Sequence, residues 1–207
     1  FPESRFRKSH TRAAVADGAA ESSFAGLWAR MLVRAYCRRE RRLSSLRSEW
    51  LDLVNHRPLP WYAEAKLRMG AFAALVGLSV HPDGRWSASA VGDSCIFHVR
   101  DNELLRAFPL DRSDRFNSRP FLISSNTENG ECLSGSQSEF RGEWIQGDRF
   151  LLMTDALACW FLKETESGRR PWTDLPDSPE FEEFVQTRRT FGELRNDDVT
   201  LLTLRIE

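Results

Sequence analysis

The sequence predicts an α+β fold with mainly antiparallel strands, and three observations indicate it. A short apolar segment, residues 11–16, precedes a stretch whose apolar residues recur at helical spacing. Residues 71–80 and 86–91 flank the turn sequence His81-Pro82-Asp83-Gly84, which is typical of a β-hairpin. The segment 199–206 alternates apolar and polar side chains, as a half-buried strand does. Because such short turns join neighbouring strands, we expect antiparallel pairing.

Turn residues and apolar runs place the other elements. Pro58 and Pro60 interrupt the helical pattern, and Asp101-Asn102 separates two short apolar runs. Up to the hairpin, the predicted order is a strand at 11–16, a helix capped by Ser22 or Ser23 and ending about Arg39, and a short helix at 61–68. Strands at 95–100 and 104–110 then continue the hairpin as an antiparallel meander, and a variable flap or loop region follows at 111–145 with one strand at 120–124. The last predicted elements are a strand at 150–154, helices at 155–163 and 178–188, and a strand at 199–206.

Length and composition favour a single domain over residues 1–207. The chain is 41% hydrophobic, enough for a sizeable core. Its longest apolar run, residues 70–80, is too short to span a bilayer, which takes about 20 residues, so we expect no membrane partner. The net charge of −1 conceals 16 basic and 9 acidic residues in 1–100, against 13 and 21 in 101–207.

The cysteines and histidines are not arranged as a zinc site or a nucleophilic active site. The cysteines stand at positions 37, 95, 132 and 159, without a CxxC pair. We therefore expect small core residues in a reduced, cytoplasmic protein. The histidines, at positions 10, 56, 81 and 98, are scattered, and His98 is expected to pack in the core.

Aspartates stand at the edges of four apolar strands: Asp17, Asp93, Asp155 and Asp197. An isolated charge beside a buried strand is costly, so each must be paired or coordinated. At any single position an aspartate is also ordinary turn chemistry. Four together favour an oxygen-rich site for a hard ion such as Mg²⁺ or Mn²⁺ over a zinc site.

The aspartates belong to four sequence blocks. In order, the blocks are Val15–Gly18, Val91–Ser94, Gly147–Asp155 and Asp197–Leu202. In order and spacing they resemble the signature blocks of type 2C metal-dependent protein phosphatases, of the bacterial type. The resemblance spans about residues 11–206 and implies a four-layer α-β-β-α sandwich, in which helices flank two antiparallel sheets. It also implies a metal cleft at one edge of that sandwich.

The resemblance further implies an activity. Members of this family hydrolyse phosphoserine or phosphothreonine in a phosphorylated protein substrate, which is a signalling reaction. The nucleophile would be a water activated by a binuclear centre of two Mg²⁺ or Mn²⁺ ions, with a third ion in some members. No side chain would then act as a catalytic nucleophile.

The same resemblance assigns residues to the metal centre. Asp17 is similar to the carboxylate that bridges the two ions, and Gly18 to the residue whose backbone carbonyl joins one of them. Asp155 and Asp197 are similar to the remaining ligands of the other ion. Asp93 is similar to the aspartate that helps hold a third ion in some members.

The chain departs from the family pattern. The family has an arginine and an acidic pair on a strand before the Asp17 block, where they serve the phosphate and the metal-bound water. Here Glu3 is the candidate for the acidic position, and no arginine precedes it. We therefore expect the domain to be incomplete at its N-terminus. Ala19, Ala156 and Asp198 stand where histidine, glycine and asparagine are usual.

These departures leave an alternative open, a catalytically impaired pseudophosphatase acting as a binding or regulatory module. Nucleic-acid binding through the arginine-rich stretch from Arg30 to Arg47 is disfavoured, since aromatic residues are not interleaved there and the whole chain is not basic. This stretch is expected to be a solvated surface or a docking face for an acidic partner.

Overall fold

The computed structural model describes residues 10–39, 42–55, 67, 69–116, 120–126, 137–176 and 178–207. The strands are β1 (Thr11–Gly18), β2 (Phe72–Val80), β3 (Arg85–Val91), β4 (Cys95–Arg100), β5 (Glu103–Phe108), β6 (Ile123–Ser124), β7 (Ser138–Glu143), β8 (Arg149–Met153) and β9 (Leu201–Arg205). They form two antiparallel sheets. The first has the order β1-β2-β3-β7, with β6 also paired to β2, and the second has the order β5-β4-β8-β9.

Helices cover both sheets. They are α1 (Ala25–Arg38), α2 (Leu43–Asn55), α3 (Asp155–Glu166) and α4 (Phe181–Thr190), with 3₁₀ turns at Ser113–Arg115 and Pro171–Thr173. None of the helices in the described ranges is long and apolar enough to cross a bilayer. The predicted helix at 61–68 falls almost entirely outside the described residues.

The central core lies between the two sheets. Val76 and Leu78 of β2 and Trp86 of β3 pack against Phe150 and Leu152 of β8. These positions are two residues apart within their strands, because alternate side chains of a strand point to the same face. Each sheet thus contributes its inner face to one buried layer, as in a sandwich of two sheets.

Two further clusters attach the helices to the outer faces. Trp28 of α1 and Trp50 of α2 pack with Ala73 of β2, and the indole nitrogen of Trp28 donates to the Ile123 carbonyl at 2.8 Å. On the other sheet, Phe161 of α3 stacks on a core phenylalanine of β4 with ring centroids 4.2 Å apart. The predicted four-layer sandwich is confirmed.

The predicted meander is wrong at one point. β2 and β3 pair in the first sheet, whereas β4 and β5 pair in the second. Residues Gly92–Ser94 are therefore a crossing between sheets and not a turn within one. Gly92 has φ +95°, and a Cβ there would come within 2.7 Å of the Ala74 Cβ, so only glycine fits the crossing without strain.

Other local predictions also change. α1 has Phe24 at its N-cap in the left-handed conformation with no side-chain cap. Instead of capping, the Ser22 hydroxyl donates to the Ala19 carbonyl and accepts from the Phe72 N–H, which ties the start of α1 to β2. Within the predicted loop region 111–145, residues 138–143 form β7, an edge strand paired with β3.

Two side chains differ from their predicted environments. Arg47 is buried, and its Nε donates to the Ser124 carbonyl at 3.0 Å, so it does not belong to an exposed basic surface. Cys37 is exposed, whereas Cys95 and Cys159 are buried as expected. Cys132 lies outside the described residues.

A buried ion pair lies at the start of β8, in the second sheet. The fully buried Asp148 carboxylate accepts from Nε and Nη2 of Arg100, from Nε2 of His98 and from the Ile145 N–H, at 2.8–3.0 Å. Burial alone would raise the pKa of Asp148, but these hydrogen bonds hold the pKa below its usual value. Burial lowers the pKa of His98, so the neutral ring donates. His98 is thus a core residue, as predicted.

We expect Asp148→Ala to lower the free energy of unfolding by about 3–5 kcal/mol, because it leaves a partly buried guanidinium without its partner. The measurement is urea unfolding followed by circular dichroism. Asp83→Ala is the control, since Asp83 pairs with Arg85 in an exposed turn. Equal losses in the two variants would contradict the structural role of Asp148.

Candidate functional site

Asp17 lies near the end of β1, beside the start of α1. In the ladder between β1 and β2 it stands opposite Ala74. The next residue is Gly18, where a Cβ would come within 2.7–2.9 Å of Ala25, the first residue of α1. Glycine therefore lets the helix begin close against the strand end, next to the Asp17 carboxylate.

The crossing between the sheets brings Asp93 to the same edge. Its neighbour Gly92 lies against Ala74, the residue that stands opposite Asp17. The chain then enters the second sheet at Cys95. Ala74 of β2 therefore lies beside the backbone at both aspartates, which are 76 residues apart in the sequence.

A threonine joins the other two aspartates. Asp155 is the first residue of α3, directly after Thr154. The Thr154 hydroxyl donates to the Asp198 carbonyl at 3.1 Å and accepts from the Thr200 N–H at 3.0 Å. These bonds fix the segment that contains Asp197 beside the start of α3.

Burial and mutual repulsion raise the pKa of three of these carboxyls. Burial, and then the charges of Asp155, Asp197, Asp198 and Asp93, raise the pKa of Asp17 to about 7. Burial, followed by Asp155, raises the pKa of Asp93 to about 6. Burial and the Asp197 charge raise the pKa of Asp155. Metal-free protein therefore holds protons at this edge at near-neutral pH.

The charge of Asp155 is only partly compensated: the Ala156 N–H and the Arg195 charge lower its pKa, but burial outweighs them. The buried Oδ1 of Asp155 receives no hydrogen bond, although the Asp17 carboxyl lies within reach and can donate when protonated. In the part of the chain that the structure describes, no three acidic, histidine or cysteine side chains are gathered tightly enough to bind one ion. The atoms that the cluster could offer to a metal are nevertheless all carboxylate oxygens, and together they carry negative charge. Their chemistry fits a hard divalent cation.

The charges of Asp17, Asp93, Asp155 and Asp197 act on one another at this edge, with Gly18 next to Asp17; that these residues bind metal stays a prediction. Glu3 lies outside the described residues. Sequence reasoning missed Arg195, whose positive charge opposes the rise in the pKa of both Asp93 and Asp155. Its position two residues before Asp197 is the only sequence signal, and arginines are too common in this chain for that to stand out.

Comparisons with known proteins agree with the fold. Residues 4–200 match the family model described as protein phosphatase 2C. No curated protein sequence matches the chain.

Several solved structures are similar. Serine/threonine phosphatase PstP/Ppp of Mycobacterium tuberculosis is 17% identical, with 95% of this chain and 89% of that one covered and a TM-score of 0.58. A PstP catalytic domain in complex with two manganese ions is 17% identical over 95% and 88% of the two chains, with a TM-score of 0.59. Stp1 of Staphylococcus aureus is 12% identical over 95% and 84%, with a TM-score of 0.62.

We expect Asp17→Asn to stabilise the metal-free protein more at pH 8 than at pH 5. A carboxyl whose folded-state pKa is raised binds a proton more tightly in the native state, so its contribution to stability falls as pH rises from about 4 to about 7. Removing the carboxyl removes that loss. Melting temperatures in chelator report it, at about 2–4 °C per kcal/mol in a protein of this size.

The exposed Asp174→Asn serves as a control and should show the same pH profile as wild type. If Asp17→Asn and wild type keep a constant difference in melting temperature between pH 5 and pH 8, the repulsion at this edge is negligible.

Proposed function

Because the chain belongs to the protein phosphatase 2C family, we propose that it is an active, metal-dependent hydrolase of phosphoserine and phosphothreonine in protein substrates. Family membership confirms the enzyme class predicted from the sequence, a protein-serine/threonine phosphatase. The observation that carries the proposal is the cluster of aspartates at one edge of the sandwich, in which burial and mutual repulsion raise the pKa values of Asp17, Asp93 and Asp155.

The proposed metal ligands are the carboxylates of Asp17, Asp155 and Asp197 and the backbone carbonyl of Gly18. By the resemblance to the family, Asp17 would take part in holding both of two Mg²⁺ or Mn²⁺ ions. Asp93 would help hold a third ion. A solved structure of PstP, which has the same fold, contains two manganese ions and supports this stoichiometry.

When bound, two such ions would activate a water for in-line attack on phosphorus and neutralise charge on the phosphoryl oxygens. In the hydrolysis, a water oxygen would bond to phosphorus as the bond from phosphorus to the serine or threonine oxygen breaks, and the proton lost by the water would balance the one taken up by that oxygen. The carboxylates of this chain hold the charge and geometry of the site. Two described side chains that could act as nucleophiles are poorly suited to it. Burial raises the pKa of the Cys95 thiol, which keeps it protonated, and Nε2 of His98 is hydrogen-bonded to Asp148.

We expect the purified protein to release phosphate from a phosphothreonine peptide with Mn²⁺ or Mg²⁺ and to stop on addition of a chelator. Asp155→Asn should lower kcat/KM by about 100-fold or more, because it removes one ligand charge. The matched control, Asp174→Asn, removes an exposed carboxylate far along the chain from the cluster and should leave the rate unchanged.

The alternative function has its own outcome. If calorimetry shows that wild type binds Mn²⁺ while its turnover does not exceed that of Asp155→Asn, the protein is a pseudophosphatase module. If neither Mn²⁺ nor Mg²⁺ binds, the proposed metal centre is wrong.

We also propose that α1 carries a docking face for acidic segments of a substrate. Arg30, Arg34 and Arg38 are exposed and four residues apart, so they follow one face of the helix. The double variant Arg30→Glu/Arg34→Glu should raise KM for an acidic phosphopeptide several-fold, because like charges repel, and leave KM for an aryl phosphate unchanged. Equal effects on the two substrates would contradict a docking role.

A further inference from the structure

A cavity lies on the outer face of the first sheet, between α1, α2 and the strands beneath them. Its volume is about 380 Å³, within the range of about 300–1,000 Å³ that is typical of small-molecule sites. Ser89 of β3 explains why this space is open. It stands opposite Gly77 of β2, and the Tyr36 ring of α1 packs directly on Gly77. Two small residues side by side leave room over the sheet next to that ring.

The walls of the cavity are aliphatic. They come from two helices and three strands and comprise Leu32, Leu43, Leu46, Leu75, Val91 and Ile123. Tyr36 is the one aromatic residue among the described residues that line the cavity. Its ring already contacts the backbone of β2 at Gly77 and the Arg12 guanidinium, which lies 4.4 Å from the ring centroid. Such walls favour an aliphatic chain, which gains free energy by leaving water, over a planar ring that needs an aromatic face for stacking.

The charged residues that line the cavity are both cationic. They are Arg12 and Arg39, and the described lining contains no carboxylate. The Arg12 guanidinium is held in place, since Nε donates to the Ser79 hydroxyl at 2.9 Å and Nη1 donates to the Tyr36 carbonyl at 2.6 Å. Both of these acceptors are neutral, so they orient the guanidinium and leave its charge uncompensated. Arg39 is exposed at the C-terminal end of α1. The cavity therefore offers positive charge to a ligand.

The neighbouring edge strand does not cancel this charge. Glu139 of β7 stands opposite Ser89 in the ladder between β3 and β7. Its Oε1 accepts a hydrogen bond from the Gln137 amide at 3.2 Å, and Glu139 is not among the residues that line the cavity. An anion in the cavity would thus face the two arginines together with hydroxyl and amide groups.

The cavity shares no residue with the aspartate cluster. Val91 lines it two residues before Asp93, and Leu75 lines it next to Ala74. A ligand in the cavity would therefore leave the clustered carboxylates unoccupied. Its binding can be measured without a metal ion and without turnover, so the inference below does not depend on the proposed function.

We propose that this cavity binds a small anionic amphiphile, namely an aliphatic carboxylate. The chain of the ligand packs against the leucine, valine and isoleucine side chains of the walls. The carboxylate binds Arg12 and Arg39, because a guanidinium fork matches the two oxygens of a carboxylate.

Titration calorimetry with hexanoate, octanoate and decanoate tests the class of ligand, using the purified protein without added metal. Affinity should rise about 3- to 4-fold for each CH₂ group that is added, as expected for burial of methylene groups. Octanol has the same chain without the charge and should bind at least about 10-fold more weakly than octanoate, because it lacks the charge-assisted hydrogen bonds. Absence of carboxylate binding, or equal affinities for octanol and octanoate, would overturn the proposal.

Two serine variants test the place of binding. Ser87 and Ser89 are half-buried on the same face of β3, and of the two Ser89 alone lines the cavity. Ser89→Ile should fill the cavity and weaken octanoate binding at least about 10-fold, since a packed space resists additional atoms. Ser87→Ile should bind octanoate as wild type does, and thermal melting by circular dichroism checks that both variants fold. Unchanged octanoate affinity in folded Ser89→Ile would show that the ligand binds elsewhere, which overturns the proposal.

Two arginine variants test the charge and leave the walls intact. Arg38 and Arg39 are neighbouring exposed residues at the end of α1, and of the two Arg39 alone lines the cavity. Arg39→Gln should weaken octanoate binding about 2- to 5-fold, as expected for a partly exposed ion pair, and leave octanol binding unchanged. Arg38→Gln should match wild type for both ligands. Equal losses of octanoate affinity in Arg38→Gln and Arg39→Gln would indicate general attraction to a basic surface and would overturn the proposal.

Discussion

Repulsion among aspartates at one edge of the sandwich is the constraint under which the surrounding elements are arranged. Asp17, Asp93, Asp155 and Asp197 come from four separate segments, and each carboxylate is easier to bury alone than beside the others. Local packing and hydrogen bonds hold these segments close to one another. Glycine at position 18 allows α1 to start against β1, and Thr154 ties α3 to the segment before β9.

The buried Asp148 shows what a satisfied carboxylate looks like in the same protein. Arg100, His98 and a backbone N–H supply its hydrogen bonds, and its pKa falls below the usual value although it is fully buried. The pKa values of Asp17 and Asp93 move in the opposite direction because burial and the charges of neighbouring aspartates dominate there. Asp148 therefore has a structural role, whereas the carboxyls of the cluster keep a residual repulsion that an added positive charge would relieve.

The two layers of helices differ in what they do for the cleft. α3 both packs on the second sheet and places Asp155 at its own first turn, where backbone N–H groups favour a negative charge. α1 packs closely enough on the first sheet that a Cβ at Gly77 would collide with the Tyr36 ring. Its arginine face points away from that contact, so its basic charge is available to a partner and does not neutralise the aspartates.

Local sequence patterns by themselves determined much of this protein. The hairpin of β2 and β3, the strand of β8 followed by α3, and the four aspartates at strand edges are all visible because periodicity and turn chemistry act over a few residues. The order and spacing of the blocks around these aspartates then indicated the family and, through it, the sandwich.

Only the tertiary structure decided the non-local features. It moved β4 into the second sheet, added β7 as a polar edge strand and buried Arg47 against Ser124. Each depends on contacts between residues far apart in the chain, where packing and charge outweigh local preference. The sequence thus determined where the candidate aspartates stand along the chain, and the tertiary structure decided which charges act on them.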